Sequence, residues 1–214
     1  MNINEFIDHT ALKPIVTEKD VEKLCYEAIK YNFKSVCVNP FDVRLCKKLL
    51  ADSNVKVCTV IGFPLGKNKT EIKVLEASSA IVDGADELDM VINVAKLKEK
   101  EYNFVKNEIQ EVIKASNNKV VKVIIETGLL TDEEIKTATK IVCEAGADFV
   151  KTCTGFTGGV ATENAVKIMK ENLSGKTQIK ASGGIRTYED AVKFIKLGVK
   201  RIGTSSGVEI VNNF

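Results

Sequence analysis

Histidine is nearly absent from this sequence, with His9 as its single occurrence in 214 residues. Because histidine is the commonest general base and metal ligand, its scarcity directs any catalysis toward lysine, aspartate, glutamate or cysteine. The six cysteines contain no C-x-x-C pair. The sequence therefore predicts neither a zinc site nor a disulfide framework.

A charge excess and long apolar segments are also missing. The net charge is only +2, with lysines and acids interspersed, which argues against nucleic-acid and anionic membrane partners. No apolar run approaches the ~20 residues of a membrane span, and the start, MNINEFIDHT, lacks the pattern of a signal peptide. We expect a single globular domain over residues 1–214, located in the cytoplasm.

Helical patterns alternate with short apolar runs along the whole chain. Residues 17–32 place apolar side chains on one helix face. Three helix starts have the spacing of a capping box, and the second and third of these helices close with a glycine. The three pairs are Thr17 with Asp20, Thr131 with Glu134, and Thr187 with Asp190. The lysine-rich segment 96–108 is expected to form a solvated helix face.

Eight short runs read as buried parallel strands: FIDHTAL, SVCVN, VKVCTVIG, DELDMVIN, VVKVIIET, DFVKTCTG, QIKASGG and RIGTSSG. Eight strands separated by helical segments predict an α/β fold, a single (β/α)8 TIM barrel with an outer ring of helices. A doubly wound open sheet is the alternative.

A weak internal repeat orients four of these strands. The four segments can be aligned on Asn32, Gly84, Gly146 and Gly198. Four positions after each of these residues lies an apolar residue: Val36, Leu88, Val150 and Ile202. Five positions on come Cys37, Asp89, Lys151 and Gly203. Side chains alternate across a strand, and alternate strands of a barrel form one interior layer. Asp89 and Lys151 should therefore share an interior layer.

Two further lysines, Lys122 and Lys180, also lie in apolar strand sequence. Burial and a neighbouring like charge can bring a lysine pKa down from about 10.4 toward neutrality. Such an amine forms Schiff bases with carbonyl substrates, and Asp89 could move protons directly or through water. The alternative is a buried ion-pair network, or lysines that extend to solvent at a strand end. Three lysines and an aspartate on different strands favour a functional site.

Glycine-rich segments follow the last two strands, ASGGIRT and GTSSGVE. Barrel enzymes often bind phosphate where the loops after strands seven and eight meet. The backbone N–H groups of Gly183, Gly184, Ser205 and Ser206 could donate to a phosphate. Arg186 either contacts this phosphate or caps a solvent-facing loop. The substrate predicted from these loops is a phosphorylated aldehyde or sugar.

Eight motifs, in order, resemble deoxyribose-phosphate aldolase, a class I aldolase family: DHTALKP, VCVNP, VCTVIGFPLG, ELDMVIN, KVIIETGLL, FVKTCTGF, KASGGIR and GTSSG. The resemblance spans nearly the whole chain. It implies reversible cleavage of 2-deoxy-D-ribose 5-phosphate to acetaldehyde and D-glyceraldehyde 3-phosphate, within deoxyribonucleotide catabolism. It also implies no metal, no organic cofactor, and a homodimer or larger homo-oligomer.

Site roles follow from the resemblance, motif by motif. Lys151 would form the Schiff base, Lys180 would lower its pKa, and Asp89 would transfer protons with water. The substrate-binding positions would be Asp8, Thr10, Cys37, Lys122, Thr154, Gly155, Gly183, Gly184, Ser205 and Ser206.

The sequence departs from the family pattern at two places. Cys153 replaces the serine of the usual K-T-S-T-G motif, for which we expect a modest effect. Some relatives have a C-terminal tyrosine that assists proton transfer, whereas this sequence has no tyrosine after Tyr188 and ends at Phe214. Two rival functions remain: another lysine-dependent barrel enzyme such as transaldolase, and a non-catalytic phosphosugar-binding barrel. A metal-dependent aldolase is disfavoured, because one histidine cannot build the usual multi-histidine site.

Overall fold

The structure is a computed structural model that describes residues 3–212. Its strands form a closed barrel in chain order, with every neighbouring pair parallel. The strands are β1 (Ile7–Ala11), β2 (Ser35–Val38), β3 (Lys56–Ile61), β4 (Glu87–Val91), β5 (Val120–Ile124), β6 (Phe149–Lys151), β7 (Gln178–Ser182) and β8 (Arg201–Thr204). The predicted (β/α)8 TIM barrel is confirmed, and the open-sheet alternative is wrong because β1 pairs with β8.

Helices connect the strands and surround the barrel. They are α1 (Glu18–Lys30), α2 (Val43–Leu49), α3 (Thr70–Val82), α4 (Val94–Lys98), α5 (Tyr102–Ala115), α6 (Asp132–Ala145), α7 (Glu163–Glu171), α8 (Tyr188–Lys196) and α9 (Gly207–Asn212). Short 3-10 turns lie at Ile3–Phe6, Pro40–Asp42 and Thr127–Leu129. None of the helices in residues 3–212 is both long enough and apolar enough to cross a membrane.

The predicted helix caps form with one difference. Complete capping boxes start α1 and α6. At α8, the Thr187 side chain accepts from the Asp190 N–H, but the Asp190 carboxylate accepts from the backbone of Arg186 instead of completing the box. Gly146 and Gly198, which follow α6 and α8, have the left-handed backbone expected of helix-terminating glycines.

The main hydrophobic core lies between the barrel and the helices. Val36, Leu88, Val150 and Ile202 are completely buried in this core. The residues that follow them in the repeat lie on the opposite side of the same strands; these are Cys37, Asp89, Lys151 and Gly203. The internal repeat therefore oriented these strands correctly.

The prediction of one solvated helix face over residues 96–108 is wrong. The segment contains the end of α4, a break at Lys100 with a φ of 62°, and the start of α5. Glu108 is buried, and its carboxylate lies 2.8 Å from the buried Lys73 Nζ of α3. This ion pair allows a charged residue to lie in the layer between the helices.

Candidate active site

Asp89 accepts hydrogen bonds from three lysines inside the barrel. Its Oδ2 atom lies 2.6 Å from Lys151 Nζ and 2.7 Å from Lys180 Nζ, and its Oδ1 atom lies 2.8 Å from Lys122 Nζ. The first two distances mean that the Lys151 and Lys180 nitrogens are at most 5.3 Å apart. Three lysines that the sequence places on β5, β6 and β7 thus converge on one carboxylate of β4.

A second tier of charges connects to this carboxylate. Arg201 donates to both oxygens of Glu87 at 3.0 and 2.6 Å, and its Nε donates to Asp8 at 2.7 Å. Asp8 in turn lies 2.5 Å from Lys180 Nζ, and Glu87 lies 2.7 Å from Lys122 Nζ. Together with Lys151, these side chains form one continuous network across six strands.

The network contains four basic side chains and three carboxylates. The basic side chains are Lys122, Lys151, Lys180 and Arg201, and the carboxylates are Asp8, Glu87 and Asp89. If every group were ionised, the buried network would have one surplus positive charge. Because uncompensated charge is costly in a low-dielectric interior, one neutral amine gives the better-balanced state.

The pKa shifts identify groups that keep their charge. Burial alone would raise the pKa of Asp89, but Lys122, Lys151 and Lys180 outweigh it and hold that pKa well below its usual value. Burial alone would lower the pKa of Lys180, but Asp8 and Asp89 raise it. The pKa of Lys122 is also raised against the effect of burial, chiefly by Asp89. Lys122 and Lys180 are therefore ammonium ions at neutral pH.

One side of the barrel lumen is apolar. Leu12, Cys37, Cys58 and Val60 form a buried cluster separate from the main core, with Phe63 packed against it. The ring of Phe63 meets that of Phe156 edge to face, with centroids 5.0 Å apart. The lumen thus combines a charged wall with an apolar wall.

The glycine-rich loops after β7 and β8 lie together at the carboxyl end of the barrel. Ser182 pairs with Gly203, and the Thr204 hydroxyl donates to the Ile185 carbonyl at 2.7 Å, which joins the two loops. Gly183 and Gly184 have φ angles of 98° and 78°. A Cβ added at either position would lie only 3.0 Å from atoms of the loop after β6. Both positions therefore favour glycine, because of the positive φ angle and because no room is left for a side chain. Ser205 is exposed and Ser206 is half-buried at this rim.

The remaining predicted residues are distributed over the rim and lumen. Thr10 donates to the Asp8 carbonyl at 2.9 Å. The Thr154 N–H donates to the buried carboxylate of Glu126, and Gly155 follows it with an exposed, left-handed backbone. The Arg186 side chain is exposed on the loop after β7. Thr154 and Gly155 therefore lie in the loop after β6 and Arg186 in the loop after β7. Asp8, Cys37 and Lys122 lie inside the barrel.

Sequence reasoning missed Glu87, Arg201 and Cys58. Glu87 and Arg201 each lie two residues before a predicted interior position, Asp89 and Gly203, so strand alternation alone places them on the same face. Cys58 pairs with Cys37 across β2 and β3. If the alternation of inward and outward side chains had been followed along each whole strand, it would have identified Glu87, Arg201 and Cys58 as interior residues.

Comparison with known proteins agrees with this geometry. A profile of the DeoC/LacD family of aldolases matches residues 5–213. The chain belongs to this family. A deoxyribose-phosphate aldolase from Finegoldia magna is 56% identical over 211 residues, covering 99% of each chain. One from Thermococcus gammatolerans is 54% identical over 215 residues, covering 99% of this chain and 96% of the relative.

A solved relative extends the DeoC/LacD comparison to three dimensions. The deoxyribose phosphate aldolase from Aeropyrum pernix, described as a tetramer, is 35% identical with a TM-score of 0.91, covering 99% of this chain and 90% of its own. The family recognised in the sequence is confirmed, and with it the enzyme class, a lyase. Phe214, which ends the sequence without the tail tyrosine of some members, lies outside the described residues.

Proposed function

We propose that this enzyme cleaves 2-deoxy-D-ribose 5-phosphate reversibly to acetaldehyde and D-glyceraldehyde 3-phosphate through a Schiff base on Lys151. The proposal places the reaction in deoxyribonucleotide catabolism. It is supported by the names of the relatives and by one observation above all. Three lysines share the buried carboxylate of Asp89 in a network with one more basic side chain than acidic ones.

Lys151 is the best candidate for the neutral amine of this network. Its Nζ has Asp89 as its carboxylate partner, whereas Lys122 and Lys180 each contact Asp89 together with a second carboxylate. Its side chain is 4% exposed, while those of Lys122 and Lys180 are completely buried. Loss of the Lys151 proton leaves Asp89 with two ammonium partners and balances the network.

The reaction would begin with attack of the Lys151 Nζ lone pair on C1 of the open-chain sugar, and loss of water gives the protonated imine. Removal of the C3 hydroxyl proton then breaks the C2–C3 bond, and the imine accepts the electron pair as an enamine. Glyceraldehyde 3-phosphate leaves. Protonation at C2 and hydrolysis release acetaldehyde and regenerate the amine.

Asp89 is a weak base in the free enzyme because its pKa is held so low. We therefore assign it two tasks: to stabilise the positive imine, and to orient a water that transfers the proton. Lys180, charged and 2.7 Å from Asp89, supplies the like charge that disfavours a second ammonium at Lys151.

The substrate phosphate would bind at the rim of the barrel. Backbone N–H groups of Gly183, Gly184, Ser205 and Ser206 are the proposed donors, because these loops converge there with little side-chain bulk. Thr154 and Gly155, next to the amine along the chain, would contact the sugar hydroxyls. Arg186 would add a positive charge from the solvent side.

Homo-oligomerisation and a cytoplasmic location remain predictions. The tetrameric relative from Aeropyrum pernix favours an assembly of identical chains. No metal or organic cofactor takes part in the proposed reaction, since the imine itself accepts the electron pair.

Borohydride reduction tests the proposal directly. Incubation with 2-deoxy-D-ribose 5-phosphate and borohydride should leave a stable adduct on the peptide that contains Lys151, detected by peptide mass. Lys151→Met should lose the adduct and the release of glyceraldehyde 3-phosphate in a coupled assay, while keeping phosphate affinity.

A matched control is Lys73→Met, because Lys73 is equally buried and ion-paired but lies outside the barrel. This variant should keep the adduct on Lys151. An adduct on another lysine, or saturable substrate binding without turnover, would contradict the proposal. Turnover with a donor other than acetaldehyde would instead indicate a transaldolase-like enzyme.

A further inference from the structure

Two thiols and a carboxylate converge in the lumen. Cys37 and Cys58 occupy paired positions on β2 and β3, and both side chains are buried. Cys58 Sγ lies 3.1 Å from Asp89 Oδ1. The donor atoms of all three residues lie within 4.8 Å of one another, and within residues 3–212 they are the one such group of three His, Cys, Asp or Glu side chains.

We propose that Cys37, Cys58 and Asp89 form a binding site for a thiophilic divalent cation such as Zn²⁺ or Cd²⁺, and that occupation of this site inhibits the enzyme. The inhibition rests on the proposed function, whereas the binding does not. The sequence gives no hint of this site because the two cysteines are far apart in the chain and have no metal-binding spacing.

The donor set suits these ions. Zinc takes cysteine thiolates at about 2.3 Å and carboxylate oxygens at about 2.1 Å in tetrahedral geometry, which puts ligand atoms roughly 3.5 to 4 Å apart. The three donor atoms lie within 4.8 Å of one another, so side-chain movements of about 1 Å would bring them to these separations. Three protein ligands leave a fourth position for water.

Charge balance also permits the ion. Binding releases the two thiol protons, so a divalent cation with two thiolates adds no net charge to the network. If Asp89 Oδ1 turns to the metal, Lys122 keeps Glu87 at 2.7 Å.

Inhibition follows from the position of Asp89. A carboxylate bound to a metal cannot also stabilise the imine on Lys151 and orient the water.

Cadmium titration of the reduced protein tests the site without reference to activity. The ultraviolet charge-transfer absorbance of cadmium thiolates should report one strong site per chain. Cys58→Ser, nearly isosteric, should weaken this binding by about 100-fold or more. Zn²⁺ should lower the borohydride-trapped fraction of the unmodified enzyme, and a chelator should restore it.

The chain provides a matched control. Cys25 of α1 and Cys46 of α2 form a second buried, hydrogen-bonded thiol pair outside the barrel. The double variant Cys25→Ser/Cys46→Ser should keep the full cadmium signal and the inhibition. Absence of stoichiometric binding, binding unchanged in Cys58→Ser and Cys37→Ser, or loss of binding in the control variant would each overturn the proposal. A protein that binds cadmium as expected but has no aldolase activity would instead refute the proposed function alone.

Discussion

Replacement of Glu87 by glutamine tests whether the second tier of charges helps to stabilise the protonated imine proposed on Lys151. The change removes one negative charge from the network and keeps the shape of the side chain. The positive imine then loses part of its electrostatic stabilisation. We therefore expect Glu87→Gln to lower kcat/KM for cleavage.

The structure bounds the size of this effect. Contacts of 2.7, 2.8 and 2.6 Å lead from Glu87 through Lys122 and Asp89 to Lys151. With the width of one carboxylate, the Glu87 carboxylate and the nitrogen of Lys151 are within about 10 Å. At an effective dielectric constant of about 20, the interaction of Glu87 with the positive imine is about 1.7 kcal/mol or more, which corresponds to a loss of about tenfold or more in kcat/KM.

The assay is the rate of glyceraldehyde 3-phosphate release as a function of substrate concentration, compared with Glu108→Gln. Glu108 is also buried and paired with one lysine, but it lies between α3 and α5. This control should lose stability and keep kcat/KM. The reasoning fails if Glu87→Gln keeps kcat/KM while circular dichroism shows a native fold, or if the control lowers kcat/KM equally.

Three further predictions concern stability and geometry. Arg201→Met removes one ion-pair partner from each of two buried carboxylates, Asp8 and Glu87. It should lower the free energy of unfolding by about 3–5 kcal/mol, measured in urea. The lowered pKa values of Asp8 and Asp89 contribute stability that is present above the unfolded value of about 3.9, so the urea midpoint should fall as pH drops below about 4. A midpoint that is constant down to pH 2 would contradict this. Gly203→Ala would place a Cβ 3.1 Å from Lys180 Cε and should reduce kcat about tenfold or more, with KM changed less.

The barrel was predictable because its signals are local. Each of the eight strands has a short Val/Ile-rich run, and helix caps such as Thr131 with Glu134 set the boundaries between them. β6 shows the limit of this method, since only Phe149–Lys151 forms a strand within the longer run that the sequence suggests. Strand ends depend on which backbone groups find partners, and sequence pattern does not encode those pairings directly.

The convergence of the three lysines on Asp89 could be predicted only in part. The repeat placed Asp89 and Lys151 on one layer, but the register between neighbouring strands determines which odd-strand residues join them. In the sequence, Arg201 looks like an ordinary charged residue at the start of a strand. Only closure of the barrel brings it into contact with Glu87 of β4. Pairings across 114 positions of sequence, as for these two residues, arise from barrel closure rather than from local pattern.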